Sequence, residues 1–291
     1  MYFVSQLLNG LGIGSIYALV ALGYSMVYGI VKLINFAHGD LIMVGGYAVF
    51  QILLWSQPLW VAVLGSVVFC AVVGMLIERV AYHRLLTKGA PRIALLITAI
   101  GVSLLLQNLY QLLYGSSGKS MPKMFVLPDI YVGDVQVSTI LLNIVVALLV
   151  MAVLQLLVGK TKIGKAMRAT SEDPGAATLM GIDTNMVILF TFAIGSALAA
   201  VGSVLFTNAY PQISPMMGGM LGLKAFVAAV FGGIGSIPGA MVGGFALGIA
   251  ESLNNAYGKS TLTDAVVFGM LIIILLVKPA GLFGKNVKEK V

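Results

Sequence analysis

The sequence predicts an all-α integral membrane protein with about eight transmembrane helices, one of them a glycine- and proline-broken re-entrant segment near 222–253. Hydrophobic residues make up 59% of the 291 residues and charged residues only 9%. An ordinary soluble domain carries about 25% charged residues. The apolar stretches are also continuous, as helices that cross the hydrocarbon core require, whereas membrane β-barrels show short alternating strands. We therefore expect one transmembrane domain over 1–291.

Uncharged runs define the individual spans. Residues 1–31 contain no charge, and the uncharged run 41–77 is too long for one helix. Ser56-Gln57-Pro58 divides that second run, because proline cannot continue a regular helix. Spans are therefore expected near 1–31, 41–56, 59–77, 93–118, 135–159, 186–208 and 261–277.

Residues 225–250 are uncharged but are interrupted within 231–239, Phe-Gly-Gly-Ile-Gly-Ser-Ile-Pro-Gly. This density of glycine and proline is too high for a regular helix. The segment holds about 30 residues, whereas two full crossings need roughly 40. We expect two half-helices that dip in and return, buried in protein or lining a water-filled path. One kinked crossing, with the C-terminal tail outside, is the alternative.

Lysine and arginine concentrate in three regions, 79–92, 160–168 and 278–290. The positive-inside rule assigns these regions to the cytoplasm. Together with Lys32 they place thirteen basic residues inside and leave Lys119, Lys123 and Lys259 outside, with Lys224 unassigned. The N-terminus is therefore expected to be extracytoplasmic and the C-terminus cytoplasmic.

Residue types that carry enzyme chemistry are scarce. The chain has two histidines, His38 and His83, and one cysteine, Cys70, so we expect no catalytic residues and no metal site. His38 lies in the polar hexapeptide 35–40, Asn-Phe-Ala-His-Gly-Asp, which favours a helix-capping and packing turn near the cytoplasmic face.

Ionisable residues that could couple transport to an ion gradient are also scarce. Asp40, Glu78, Glu251 and Asp264 all fall near the ends of predicted spans, and Lys224 opens the broken segment. Ion-coupled transporters normally bury such residues within their spans. The chain has no phosphate-binding loop with which to hydrolyse ATP. If it drives transport uphill, the energy must come from a partner that docks on it.

The loop 160–183 is the candidate docking surface for that partner. Asp173 before Pro174 predicts a helix start, and Gly181 predicts its end. The result is a two-turn helix with exposed apolar residues, Ala177, Leu179 and Met180. Such a rigid knob suits a groove on a partner. An ordinary capped loop is the alternative.

Three ordered blocks give the chain its resemblance to a known family. They comprise residues 9–40, which include Asn9-Gly-Leu-Gly-Ile-Gly-Ser-Ile-Tyr17 and Ile34-Asn-Phe-Ala-His-Gly-Asp40, and residues 164–182 and 224–240. In this order they resemble the branched-chain amino acid ABC permease family, over essentially the whole chain.

The resemblance implies a multi-pass permease of the bacterial inner membrane that carries leucine, isoleucine and valine by alternating access. Its implied partners are a second homologous permease, two cytoplasmic ATPase subunits and a periplasmic substrate-binding protein. ATP would bind to the ATPase subunits, so this chain would hold no cofactor, and no nucleic-acid partner is implied. By position, the ATPase-contacting residues would be Arg168, Glu172, Asp173, Pro174, Gly175 and Leu179. A family member for urea, short amides or other amino acids, or a self-sufficient channel for a small neutral solute, is the alternative.

Polar and aromatic side chains on otherwise apolar helices are candidates for lining the translocation path. They are Tyr17, Tyr24, Gln107, Asn108 and Asn143. The same residue types also join helices by hydrogen bonds or anchor at membrane interfaces, so both interpretations stay open.

Overall fold

The structure is a computed structural model that describes residues 2–122, 124–125, 128, 130–132 and 135–284. Four of the lysines on which the predicted orientation rests lie outside the described residues; they are Lys123, Lys285, Lys288 and Lys290. The helices are α1 (Tyr2–Val31), α2 (His38–Leu54), α3 (Leu59–Ile77), α4 (His83–Thr87), α5 (Arg92–Tyr114), α6 (Val137–Lys160), α7 (Lys162–Glu172), α8 (Pro174–Leu179), α9 (Thr184–Ala209), α10 (Met217–Gly232), α11 (Ile237–Tyr257) and α12 (Thr263–Val277).

The all-α membrane architecture is confirmed. Six helices of the described residues are long and apolar enough to cross a membrane; they are Tyr2–Val31, Leu59–Thr87, Arg92–Tyr114, Val137–Lys160, Thr184–Ala209 and Ser260–Val277. The second of these is continuous because a π-helical turn, Glu78–Tyr82, joins α3 to α4. The helices α2 and α10 are apolar but shorter, so the predicted count of eight spans stays a prediction.

The first helix, α1, forms the centre of the bundle. Every residue from Gly14 to Val27 is buried. It packs antiparallel against α11. The two backbones approach closely, since a Cβ atom on Gly10 would lie only 2.7 Å from the Cα of Ile249. Small residues permit this approach of two backbones. The helices farther from the centre, α5, α6 and α12, instead expose leucine, isoleucine and valine side chains, as a lipid-facing surface requires.

The break predicted within 231–239 is present, but its two helices are longer than half-helices. The helix α10 has 16 residues and α11 has 21, which correspond to about 24 and 32 Å. They pack tightly at the turn, where a Cβ atom on Gly239 would meet the carbonyl carbon of Gly232 at 3.0 Å. At its other end α11 reaches the start of α1, where the rings of Tyr2 and Tyr257 lie 5.8 Å apart. Therefore α11 runs along most of α1.

The hexapeptide 35–40 forms a packing turn, but it lies deeper in the bundle than the predicted position near the cytoplasmic face. The chain turns back after α1, so that the His38 ring lies 4.5 Å from the ring of Tyr24, seven residues before the end of α1. That offset corresponds to about 10 Å along the helix. Asn35 fixes the turn by accepting from the backbone N–H of Ala37 at 3.1 Å and from the Tyr82 hydroxyl at 2.9 Å.

Two short antiparallel pairs lie in the connections at the end of the bundle opposite this turn. They join β1 (Lys119–Ser120) to β4 (Gln212–Ile213) and β2 (Tyr131–Val132) to β3 (Val135–Gln136). Among the thirteen described basic residues, ten lie toward the other end of the helices: Lys32, Arg79, Arg84, Lys88, Arg92, Lys160, Lys162, Lys165, Arg168 and Lys278. This asymmetry supports the predicted orientation, which stays a prediction.

Candidate functional site

The segment between α6 and α9 folds as two short capped helices. The hydroxyl of Thr161 accepts from the backbone N–H of Gly164 at 3.0 Å and caps α7. The carboxylate of Asp173 accepts from the N–H groups of Gly175 and Ala176 at 2.8 and 2.9 Å and caps α8, with Pro174 in its first turn. These bonds satisfy donors that a helix start leaves free.

The end of α8 presents apolar side chains to the surroundings. Leu179 is 90% exposed and Met180 is 83% exposed, whereas Ala177 is buried. The expectation that Ala177 is exposed is therefore wrong. Its side chain faces the bundle, and its carbonyl accepts from the N–H of Ile182 at 3.0 Å where the chain returns towards α9. Gly181 ends the helix with a φ of +82°, a conformation that favours glycine.

The six residues predicted to contact an ATPase share one property, which is exposure to the surroundings; they are Arg168, Glu172, Asp173, Pro174, Gly175 and Leu179. The guanidinium of Arg168 donates to the carbonyl of Val158 at the end of α6. Met167, one residue earlier, is fully buried. The segment is therefore attached to the bundle through Arg168 and Met167, while the six predicted contact residues stay exposed in the described part of the chain.

A polar cleft of about 450 Å³ opens beside α1 at the end opposite α8. Five side-chain amides dominate its lining, together with hydroxyl groups, three isoleucines and two small residues. The lining residues are Gln6, Asn9, Gly12, Ile13, Ile16, Thr139, Ile140, Asn143, Asn208, Ala209, Tyr210, Ser252 and Asn255. Asn143 is buried, and its Oδ1 atom has no hydrogen-bond partner among the described residues. Such a cleft accommodates a small solute that forms hydrogen bonds.

A smaller pocket of about 260 Å³ adjoins the polar cleft; we call it the Glu251 pocket. It shares Ile13, Ile16 and Tyr210 with the cleft. Its remaining lining residues are Tyr17, Phe206, Leu221 and Glu251. The pocket therefore combines one carboxylate and two phenols with an apolar wall.

Glu251 belongs to a cluster that connects four helices. Its Oε2 atom accepts from the Tyr17 hydroxyl at 2.7 Å, and its Oε1 atom accepts from the Lys224 ammonium at 2.8 Å. The same ammonium lies 3.0 Å from Oδ1 of Asp264. These residues belong to α1, α11, α10 and α12, so the ionic cluster (Tyr17, Lys224, Glu251 and Asp264) joins the helices around the pocket.

Asp40 and Asp264 lie in the first turns of α2 and α12, as expected, but Lys224 and Glu251 lie within α10 and α11 rather than at their ends. Lys224 is 9% exposed and Glu251 is 8% exposed, and Glu251 lies six residues before the end of α11. Asp40 is also buried. A buried charge is costly unless a partner neutralises it, which explains why the lysine and the two carboxylates of the cluster occur together.

The five candidate path residues fall in different places. Tyr17 lines the Glu251 pocket and Asn143 lines the polar cleft. Tyr24 packs edge-on against His38, and its ring lies 5.8 Å from that of Phe226. The amide of Gln107 donates to Asp40 at 2.8 Å, whereas that of Asn108 is exposed and donates to the carbonyl of Leu104 in its own helix. The structure therefore brings two of the five to one region.

Comparison with known proteins also indicates a membrane transport protein. The family model described as "Branched-chain amino acid transport system / permease component" matches residues 6–276. The chain belongs to this family of transport permeases. Its relatives include the high-affinity branched-chain amino acid transport system permease protein LivH of Salmonella typhimurium and of Escherichia coli K12, 42% and 43% identical over 306 residues. The corresponding protein BraD of Pseudomonas aeruginosa is 43% identical over 304 residues.

Each of these three alignments covers 100% of this chain and 98% of the relative. No solved structure matches the chain. The permease is thus a multi-pass membrane protein that aligns along its whole length with proteins named for transport.

Several residues that line the polar cleft and the Glu251 pocket were not among the candidates predicted from the sequence. On α1, Gln6, Asn9, Ile13 and Ile16 recur at spacings of three and four, which places them on one face of a helix. That spacing could have identified the cleft-facing side of α1. The contribution of Glu251 could not be found in this way, because it depends on the lateral packing of α10, α11 and α12.

Proposed function

We propose that this chain is the membrane-spanning permease subunit of an ATP-binding-cassette importer for leucine, isoleucine and valine. The relatives described above are named as high-affinity branched-chain amino acid permeases, and each aligns with the whole of this chain. A solute of this class needs hydrogen-bonding groups for its polar end and apolar surface for its side chain. The polar cleft and the Glu251 pocket supply these side by side.

The observation that carries the ATP-driven mechanism is the exposed apolar end of α8. The apolar side chains of Leu179 and Met180 are not stabilised by contact with water, whereas burial in a groove on a cytoplasmic ATPase would stabilise them. The capped start at Asp173 keeps α8 rigid, so a force applied by the ATPase reaches the bundle. Two ATPase subunits bind the ATP, and this chain holds no cofactor of its own.

A short connection transmits that force to the site. Residues 180–183 link α8 to α9, and the carboxylate of Asp183 caps α9 by accepting from the N–H of Met186 at 3.1 Å. The far end of α9 supplies Phe206 and Asn208 to the pocket and the cleft. Movement of α8 therefore shifts α9 along α1 and alternates the access of the site between the two sides of the membrane.

The remaining partners follow from the same proposal. A periplasmic substrate-binding protein delivers the amino acid to the end that holds the polar cleft. A second, homologous permease completes the path in the bacterial inner membrane, and the C-terminus lies in the cytoplasm. The chain itself performs no enzymatic reaction.

Uptake of labelled leucine tests the proposal. Cells express the chain with its partner subunits, and uptake is measured with and without the ATPase subunits, with urea and acetamide as competing solutes. We expect uptake that depends on the ATPases, that valine and isoleucine compete for, and that urea and acetamide leave unchanged. Uptake without any ATPase would favour a self-sufficient channel, and competition by urea would favour the amide-carrying branch of the family.

A further inference from the structure

The chemistry of the Glu251 pocket differs from that of the polar cleft beside it. The cleft is lined by uncharged amides and hydroxyls, whereas the pocket contains a carboxylate. The same pocket is also lined by the apolar side chains of Ile13, Ile16, Phe206 and Leu221. One end of a solute in this pocket therefore meets a negative charge, and the rest meets an apolar wall.

The Glu251 carboxylate has unused acceptor capacity. Two ionised carboxylate oxygens provide about four lone-pair sites. The Tyr17 hydroxyl donates to one oxygen and the Lys224 ammonium donates to the other, with no further partner shown on the described residues. A carboxylate accepts and does not donate, so the group that completes its shell must be a donor, and an ammonium group is the donor with matching charge.

The charges of the ionic cluster do not balance. Lys224 supplies one positive charge, and Glu251 and Asp264 supply two negative charges. The ammonium of Lys224 is shared between both carboxylates, and Asp264 is half-exposed at the edge. A buried carboxylate is stable when it is fully paired. One additional monovalent cation would make the cluster neutral.

We propose that Glu251 binds the α-ammonium group of the transported amino acid, with the aliphatic side chain of that solute against Ile13, Ile16 and Leu221. This inference rests on the proposed function and assigns the recognition element within the permease. Asp264 holds Lys224 while Glu251 engages the solute. The carboxylate of the solute extends past Tyr210, which lines both cavities, towards the amides of the polar cleft.

This assignment makes the pocket selective by charge as well as by shape. A neutral amide or urea brings no cation and leaves the cluster unbalanced. A branched fatty acid without the amino group brings a negative charge next to Glu251 and is repelled. A zwitterionic amino acid with an aliphatic side chain satisfies the carboxylate and fills the apolar wall.

Cysteine labelling in the assembled transporter tests the inference. The chain carries Leu221→Cys, and its single native cysteine, Cys70, is fully buried. A cationic and an anionic methanethiosulfonate reagent are compared, and labelling of this chain is read from its mass. We expect the cationic reagent to react about tenfold faster, because one unit of negative charge lines the pocket. Millimolar leucine should slow the labelling, and the branched fatty acid should not.

Glu251→Gln in the same background isolates the charge. It keeps the shape of the side chain, and we expect it to abolish both the preference for the cationic reagent and the protection by leucine. The matched control is Asp264→Asn, which also removes a carboxylate from Lys224 but does not line the pocket. Glu251 still lines the pocket in this variant but no longer shares Lys224 with a second carboxylate, so leucine should still slow the labelling, although less than in the parent.

The outcomes separate this inference from the proposed function. Equal labelling rates for the two reagents with Glu251 in place, or protection by leucine that survives Glu251→Gln, overturns the inference. The first of these needs no variant of Glu251, so a misfolded variant does not block the test. Loss of ATP-dependent leucine uptake by the parent complex would instead refute the proposed function. Normal uptake by the parent together with normal uptake by Glu251→Gln would refute the inference alone.

Discussion

Replacing Lys224 by methionine should strongly destabilise the bundle. Lys224 is buried, and its ammonium lies 2.8 Å from Glu251 and 3.0 Å from Asp264. Methionine keeps most of the length of the side chain and removes the charge, so a buried carboxylate loses its counter-ion. Removal of one partner from a buried ion pair costs about 3–5 kcal/mol. A surface pair is worth only about 0–1 kcal/mol, so the two cases are easily distinguished.

The double variant Lys224→Met/Glu251→Gln gives the sharper comparison. It removes the buried carboxylate together with the cation, so we expect it to be more stable than Lys224→Met alone. Unfolding of the purified full chain in mixed detergent micelles, followed by its helical circular dichroism, measures the free energy of each variant. The control is Lys259→Met, an exposed lysine at the same end of the bundle, which should change stability by less than about 0.5 kcal/mol.

Two results would refute this reasoning. One is a Lys224→Met chain as stable as the Lys259→Met control, because a buried carboxylate would then tolerate the loss of its partner. The other is a double variant whose loss equals the sum of the two single losses. Groups that share an ion pair should not behave additively.

Three further predictions concern packing, capping and exposure. Gly39→Val should cost about 1–3 kcal/mol, because even a Cβ atom there lies 2.6 Å from the carbonyl oxygen of Gly218, and detergent unfolding measures this loss. Asp173→Ala should weaken α8 by about 1 kcal/mol through loss of its cap, which appears as faster proteolysis of the 172–184 segment. Cys70 should resist maleimide in the folded chain, because its side chain is fully buried, and should react after unfolding.

Each of these predictions has its own control. Gly219→Val on α10 should be tolerated, since no neighbouring atom of the described residues lies within 4 Å of its added Cβ atom. An equal loss at Gly39 of α2 and at Gly219 would contradict the close crossing of α2 and α10. Glu172→Ala removes an exposed carboxylate that is not a cap of α8 and should leave proteolysis unchanged. Rapid labelling of Cys70 in the folded chain would show that its surroundings open.

Features that depend on local sequence could be predicted well. Span 59–77 coincides with α3, because the uncharged run and Pro58 mark its limits directly. The start of α8 at Pro174 also agrees, since the capping carboxylate and the proline lie next to each other in the chain. Such signals act within a few residues and need no knowledge of the neighbouring helices.

Features that depend on the packing of distant segments could not be predicted. The position of Glu251 near the end of a predicted span did not indicate its contacts with Lys224 and Tyr17, which lie 27 and 234 positions away in the sequence. The burial of Ala177 beside exposed Leu179 depends on which side of α8 faces the bundle. Polar residue type alone also treated Asn108 and Asn143 alike, although only Asn143 lines the cleft. The ATPase contacts and path roles stay predictions.

Leucine uptake into proteoliposomes is the most direct test of the proposed function. The vesicles contain this chain, its partner permease and the two ATPase subunits, with the binding protein outside and ATP inside. Leu179→Asp places a charge on the exposed end of α8, whereas the matched control Leu262→Asp changes an exposed leucine at the opposite end of the bundle. We expect ATP-dependent uptake that Leu179→Asp abolishes and Leu262→Asp retains, with both complexes folded. Undiminished uptake with Leu179→Asp, or uptake without the ATPase subunits, would contradict the proposal.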